Sequence, residues 1–246
     1  MASYDFKAPR LFLDDALAIG TRIALDRARA NYLLNVLRLG EGGEILAFNG
    51  RDGEWRARLS VDGRKSGSLL MIKQVRPQTQ PPPLVYMFAP LKHARLDYMA
   101  QKAVEMGAGR LQPVVTRRTQ TSRINLERMR ANAIEAAEQC GILTIPETSG
   151  ELPLEKALVA LPSETTLVFC DEDAPVVDPV AALQAVSPGP LAVLIGPEGG
   201  FDETERAMLL ARSNTVRISL GPRILRADTA AVAALALVQA VCGDWR

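Results

Sequence analysis

Two segments of the chain combine glycine, proline and charge at a spacing that suits ligand binding. The first is Leu194-Ile195-Gly196-Pro197-Glu198-Gly199-Gly200-Phe201-Asp202, an apolar strand running straight into a loop with three glycines. Glycine admits left-handed backbone torsions and lets a ligand come close to the main chain. An ordinary strand-to-helix turn needs fewer of them. Asp202 is a good N-cap, and Glu205 three residues on completes a capping box for a following helix. The carboxylate of Glu198 suits a neutral or cationic ligand better than a nucleoside triphosphate. The second segment, Leu220-Gly221-Pro222-Arg223-Ile224-Leu225-Arg226-Ala227-Asp228-Thr229-Ala230, also follows an apolar strand. Ile224 and Leu225 supply apolar walls, and the backbone around Gly221 supplies hydrogen-bonding groups. That combination suits an adenine ring held by main-chain contacts. Arg226 is a cation at the edge of such a pocket; its alternative role is a surface ion pair worth about 0–1 kcal/mol. Asp228 or Thr229 could cap the helix that follows.

Much other chemistry is excluded. The single histidine, His93, and the absence of a CxxC pair leave no zinc site of the usual spacing. No GxSxG, GxGxxG or GxxxxGKS/T motif occurs. Cys140, Cys170 and Cys242 are odd in number and far apart, so they imply no disulfide framework. A chain of 246 residues, 48% hydrophobic and 23% charged, has the apolar content for a real core in one large domain or two small ones. No stretch reaches the roughly 18 apolar residues of a membrane span, and the segment MASYDFKAPRLF lacks the apolar core of a signal peptide. A cytoplasmic location is the expectation.

The net charge of +1 hides an asymmetry. Residues 1–130 carry 22 Lys or Arg against 12 Asp or Glu, whereas residues 131–246 carry 7 against 16. The basic half is mostly arginine, which suits bidentate phosphate contact and stacking on bases. It is either a solvated basic surface or the face that meets a polyanion; charge does not choose between RNA and DNA.

The elements that must position these loops fall into two parts. Pro77-Gln78-Thr79-Gln80-Pro81-Pro82-Pro83 cannot sustain regular hydrogen bonding and reads as an extended linker. Before it, short apolar runs such as Glu44–Phe48, 54–59 and 68–72 alternate with the turn signals Asn49-Gly50 and Asp52-Gly53. They predict a small antiparallel β-barrel or sheet interrupted by one helix near 26–37. After it, strands at 84–89, 111–115, Thr166–Cys170, Leu191–Ile195 and 216–220 alternate with helices near 93–106, Leu126–Cys140 and 229–241. This alternation predicts an α/β domain with a parallel sheet covered on both faces, whose ligands sit beyond the strands' carboxyl ends. The expected division is 1–75 for the barrel, 76–83 for the linker and 84–246 for the α/β domain. The alanine-rich helix 229–241 has an apolar face that suits a core or a subunit interface equally.

The pair GPEGGFDETE and LGPRILRADTA resembles the RsmE family of RNA methyltransferases. Asn35-Val36-Leu37-Arg38 with the later Asn49-Gly50 is similar to that family's N-terminal, PUA-like barrel. Gln101-Lys102-Ala103-Val104-Glu105-Met106-Gly107 resembles its QKATELG helix, and Glu135-Ala136-Ala137-Glu138-Gln139-Cys140-Gly141 its EAxEQxGR helix. The resemblance covers nearly the whole chain. Three positions depart from it: Ile142 stands where Arg is frequent, Asp228 where Glu is usual, and Asn31-Tyr32 where a His-containing pair is common.

The resemblance implies a PUA-like RNA-binding barrel followed by a SPOUT-type α/β domain with a trefoil knot, acting as a homodimer without metal. It implies S-adenosylmethionine as cofactor and N3 of a uridine in small-subunit (16S) ribosomal RNA as target. The implied cofactor residues are Leu194, Ile195, Gly196, Pro197, Glu198, Gly199, Gly200, Leu220, Gly221, Ile224, Leu225, Thr229 and Ala230. Arg226 and Asp228 are the implied catalytic residues. Arg226 either stabilises charge on the uracil oxygens or orients the target's phosphate; Asp228, Glu198 or solvent takes the N3 proton. Candidate RNA contacts in the basic half are Arg10, Arg29, Arg38, Lys92, Arg95, Lys102, Arg117, Arg118 and Arg123. Arg38 could equally be a cation facing a helix dipole, and Lys102 could simply pair with Glu105. The competing readings are a related SPOUT enzyme acting on another RNA and a catalytically inactive RNA-binding assembly factor.

Overall fold

The computed structural model describes residues 8–63, 66–92, 94–120, 123–174 and 178–245. The chain forms two compact units: residues 1–80 with 137–145, and residues 81–136 with 146–246. The expected boundary at 84 places residues 137–145 with the second part; the structure groups them with the first.

In the first unit, β1 (Arg10–Phe12) and β2 (Arg22–Ala24) precede a short helix α1 (Arg27–Asn31). Asp26 caps it by accepting from the Arg29 amide at 2.8 Å. The helical path then widens into a π-helical turn over Tyr32–Val36, where the Leu37 amide bonds to the Tyr32 carbonyl at 2.9 Å. The single helix expected near 26–37 is therefore wound in two ways. Among the described residues Arg38 is the one non-glycine with left-handed torsion, φ 56°. Strands β3 (Glu44–Phe48), β4 (Glu54–Gly63) and β5 (Ser66–Arg76) complete a five-stranded sheet of order β1-β3-β4-β5-β2. Alternate residues Ile45, Ala47, Ala57, Leu59, Leu69 and Met71 turn inward to make its core. Asp52 pins the turn after β3 by accepting from the Leu17 amide at 2.9 Å and from Asn49 at 2.7 Å. Those two bonds, the Leu17 amide foremost, hold its carboxyl below the ordinary range.

Arg10 corrects one expectation. Its side chain is 5% exposed, and Nε donates to fully buried Glu54 at 2.7 Å. Its other nitrogens donate to the carbonyls of Ala137, Glu138 and Ile142. Arg76 binds the second Glu54 oxygen at 2.7 Å and the Gly141 carbonyl at 2.9 Å. The last carbonyls of a helix lack intrahelical partners and carry negative partial charge, so guanidinium donors satisfy them. Arg10 is thereby withdrawn from any RNA surface.

The second unit opens with β6 (Leu84–Phe88), α2 (Ala94–Glu105), β7 (Arg110–Val115) and α3 (Leu126–Cys140). There follow β8 (Glu147–Thr148), β9 (Leu152–Pro153), α4 (Leu154–Ala160) and β10 (Thr166–Cys170). Last come α5 (Pro179–Gln184), β11 (Leu191–Ile195), α6 (Glu203–Ala211), β12 (Thr215–Ile218) and α7 (Ala227–Val241). The expected helix near 93–106 begins at Ala94; His93 lies outside the described residues. Every pairing in the sheet is parallel, in the order β12-β10-β11-β6-β7-β8, with β9 also on β7. The near-continuous apolar runs of its central strands follow from burial on both faces. Helix α7 buries Ala231, Ala234, Leu235 and Val238, while Val232, Ala233, Ala236 and Leu237 stay partly exposed. No helix among the described residues is long and apolar enough to cross a membrane.

Candidate functional site

Three neighbouring strands, β12, β10 and β11, end on one side of the parallel sheet, and their following loops enclose a cavity. Its floor is Phe169 and Cys170 of β10 and Ile195 of β11. One wall is the glycine loop Gly196, Pro197, Glu198 and Gly200; a second is Leu220, Gly221, Pro222, Arg223, Ile224 and Leu225. Ala227 and Ala230 of α7 close one end.

Local chemistry shapes each wall. A Cβ on Gly196 would come within 2.5 Å of the Phe201 ring, and one on Gly200 (φ +71°) within 2.4 Å of a Glu172 oxygen. The ring contact at Gly196 and the positive φ at Gly200 favour glycine at both positions. Asp202 caps α6 by accepting from the Glu205 amide at 2.7 Å, and Glu205 returns the bond to the Asp202 amide at 3.1 Å, the expected capping box. The other oxygen of buried Glu205 takes the Arg117 amide at 2.8 Å, tying the loop after β7 to the glycine loop. Gly221, at φ +99°, has nothing within 4 Å of where a Cβ would stand, so its backbone is open.

Ile195, Gly196, Pro197, Glu198, Gly200, Leu220, Gly221, Ile224, Leu225 and Ala230 line the cavity together. Leu194 is fully buried in β11 and Thr229 is exposed on α7; neither is among the lining residues. Arg226 and Asp228 flank the lining residue Ala227 without lining the cavity themselves. Arg226, and not Asp228 or Thr229, occupies the N-cap position, with no side-chain capping bond. The helix starts earlier than expected, which places Asp228 in its first turn, where it accepts from the Thr229 amide at 2.9 Å.

Sequence reasoning missed the third wall, Asp171, Glu172, Asp173 and Ala174, and also Phe201, Arg206 and Ser219. The available signal was an acidic triplet after an apolar strand. Asp171 is buried and bridges Arg206 at 2.9 Å and Arg217 at 2.8 Å, which locks this wall to α6 and β12. Burial pushes the Cys170 thiol up to about 12, so it is a neutral lining group and not a nucleophile near pH 7. Among the described residues no group of three or more His, Cys, Asp or Glu is placed to hold a metal.

Gly199, Pro197 and Glu198 also border a second cavity, with Pro90, Leu91, Lys92, Ala94, Arg95, Arg118 and Gln120. Three of the basic candidates thus converge beside the glycine loop. Arg95 pairs with Glu198 at 2.6 Å, and Arg118 donates to the Gly199 carbonyl at 2.6 Å. Arg117 is exposed and pairs with Asp202 at 3.0 Å. Lys102 pairs with Glu105 at 2.7 Å along α2. In the first unit Arg29 pairs with Asp14 and Asp26, and Arg38 is exposed. Arg123 is exposed ahead of α3.

A parallel sheet with a cavity at the carboxyl ends of three strands, walled by glycine-proline loops, defines an α/β domain whose ligand site lies beyond its strand ends. Residues 78–239 match the RNA methyltransferase domain family, and residues 25–70 the RNA methyltransferase PUA domain family. The chain belongs to the RsmE family. It is 31% identical to ribosomal RNA small subunit methyltransferase E of Synechocystis sp., over 95% of this chain and 78% of that protein. The corresponding protein of Rickettsia conorii is 29% identical, over 95% and 96%. The crystal structure of the Neisseria gonorrhoeae enzyme bound to S-adenosyl methionine superposes with a TM-score of 0.85 at 28% identity, covering 97% of this chain and all of that one.

Proposed function

We propose that this chain is an S-adenosylmethionine-dependent methyltransferase that modifies N3 of a uridine in small-subunit ribosomal RNA. The convergence of both glycine-proline loops on one cavity at the strand ends, in a chain of the RsmE family, carries this reading. The lining fits the cofactor. Phe169, Ile195 and Leu225 offer apolar surface to a purine, and Gly196 and Gly221 offer backbone groups. Glu172 and Glu198 offer carboxylates to a cation. When bound, the cofactor supplies a methyl group already activated on a sulfonium. The chain must hold the uridine in line with it and accept a proton.

Asp228, in the first turn of α7 beside the lining residue Ala227, is the candidate to accept the N3 proton. Arg226, exposed one residue from the cavity lining, is assigned to charge developing on the uracil oxygens or to the target's phosphate. The exposed basic residues Arg38, Lys92, Arg95, Arg117, Arg118 and Arg123 supply RNA contacts in this reading. The partly exposed apolar face of α7 is assigned to a homodimer, and the cytoplasm is the expected location.

Methyl transfer from radiolabelled S-adenosylmethionine to unmodified small ribosomal subunits, followed by nucleoside digestion, tests the proposal. N3-methyluridine is the expected product. Label in another nucleoside would discard the target, and no label without cofactor binding would discard the enzyme.

A further inference from the structure

The second cavity has a use that its neighbour does not explain. Lys92, Arg95 and Arg118 line it against a single carboxylate among the described residues, Glu198. Its wall, Pro197-Glu198-Gly199, belongs to the loop that also lines the first cavity, with Pro197 and Glu198 common to both. Both arginines are engaged with that loop, Arg95 through the Glu198 carboxylate and Arg118 through the Gly199 carbonyl. Neither engagement is hard to exchange. The Arg95–Glu198 pair is 41% and 49% exposed, a setting in which ion pairs contribute about 1 kcal/mol or less. A neutral carbonyl is also a weaker partner for a guanidinium than a phosphate, which accepts charge-assisted, bidentate bonds.

We propose that this second cavity binds a backbone phosphate of the RNA substrate, and that the phosphate displaces Glu198 from Arg95 and the Gly199 carbonyl from Arg118. The inference rests on the RNA methyltransferase reading above and adds to it a site and a coupling. RNA capture would release the loop that walls the cofactor cavity, so RNA and cofactor affinities must be linked, each altering the other by the same factor.

The test uses the full chain. Calorimetry measures S-adenosylmethionine binding, and fluorescence anisotropy measures binding of a labelled, unmodified small-subunit ribosomal RNA fragment across a salt series. Arg95→Gln and Arg118→Gln should each weaken RNA binding about tenfold and lower the salt slope by about one. Arg118→Lys should restore the slope. Glu198→Gln should tighten RNA binding about threefold in the parent chain, and have no effect once Arg95→Gln is present. That non-additivity distinguishes a displaced partner from a mere change of net charge. Additive effects of Glu198→Gln and Arg95→Gln would overturn the proposal. So would arginine variants that lose S-adenosylmethionine affinity while RNA affinity stands, since the anion would then be the cofactor's own carboxylate. The predicted non-additivity in a chain that binds no S-adenosylmethionine would support this site and sink the methyltransferase reading instead.

Discussion

Arg10 and Arg118 bring the same guanidinium to opposite surroundings. Arg10 is 5% exposed and fixed between the Glu54 carboxylate and helix-end carbonyls. Arg118 is exposed and donates to the Gly199 carbonyl at the edge of a basic cavity. Removal from water forces a charge to be matched by complete partners, and breaking such a set is costly. A solvated charge exchanges partners at little cost. The first arginine therefore builds the fold, while the second sits where its partner can be exchanged. Counted along the chain, both add equally to the positive excess of residues 1–130.

The comparison can be broken at its strongest point. Arg10→Met leaves Glu54 buried with Arg76 alone and should cost about 3–5 kcal/mol in the first unit. Arg118→Ala should cost less than about 1 kcal/mol. Denaturant unfolding followed by Trp55 fluorescence for the Arg10 variant and by Trp245 fluorescence for the Arg118 variant, each with the other tryptophan replaced by Phe, reads the difference; equal losses would erase the distinction.

A second experiment sharpens what exposed arginines do. Arg226→Ala should lower turnover at least about tenfold, roughly 1.4 kcal/mol, with cofactor affinity changed less than about twofold. Single-turnover kinetics beside calorimetry checks both halves, and unchanged turnover would remove Arg226 from the machinery. Asp202→Ala should cost about 1 kcal/mol by opening the capping box of α6, visible as faster amide exchange in its first turn.

The smallest effect is a pH dependence. Asp52 has a folded-state pKa below its ordinary 3.8, so its contribution is fully present above that value and is lost as pH falls through the lowered one. Asp52→Asn should flatten the acid limb of the first unit's stability below about pH 4, and an unaltered limb would show that the Leu17 and Asn49 bonds do not stabilise the turn.

Much of the fold was legible because apolar runs were bounded by clear punctuation. Glu44–Phe48, Thr166–Cys170, Leu191–Ile195 and Leu126–Cys140 carry the same bounds in the structure as in the sequence reading. Both glycine-proline loops were legible as well, since glycine clusters and a capping box are local signals. The wall Asp171–Ala174 was not, because an acidic triplet after a strand reads alike in a ligand site and on a solvated surface. It lines the cavity because β10 lies between β12 and β11.

By itself the sequence determined what depends on neighbours along the chain: the spans of several strands and of the helix Leu126–Cys140, the cap at Asp202, the two glycine-proline loops and the family resemblance. Only tertiary structure decided which charges are spent and which remain usable. Burial and partner geometry are set by residues distant in sequence: Glu54 and Ala137 for Arg10, Glu198 for Arg95, Gly199 for Arg118. The energy of a charge depends on the solvent and partners around it far more than on the residue type that carries it.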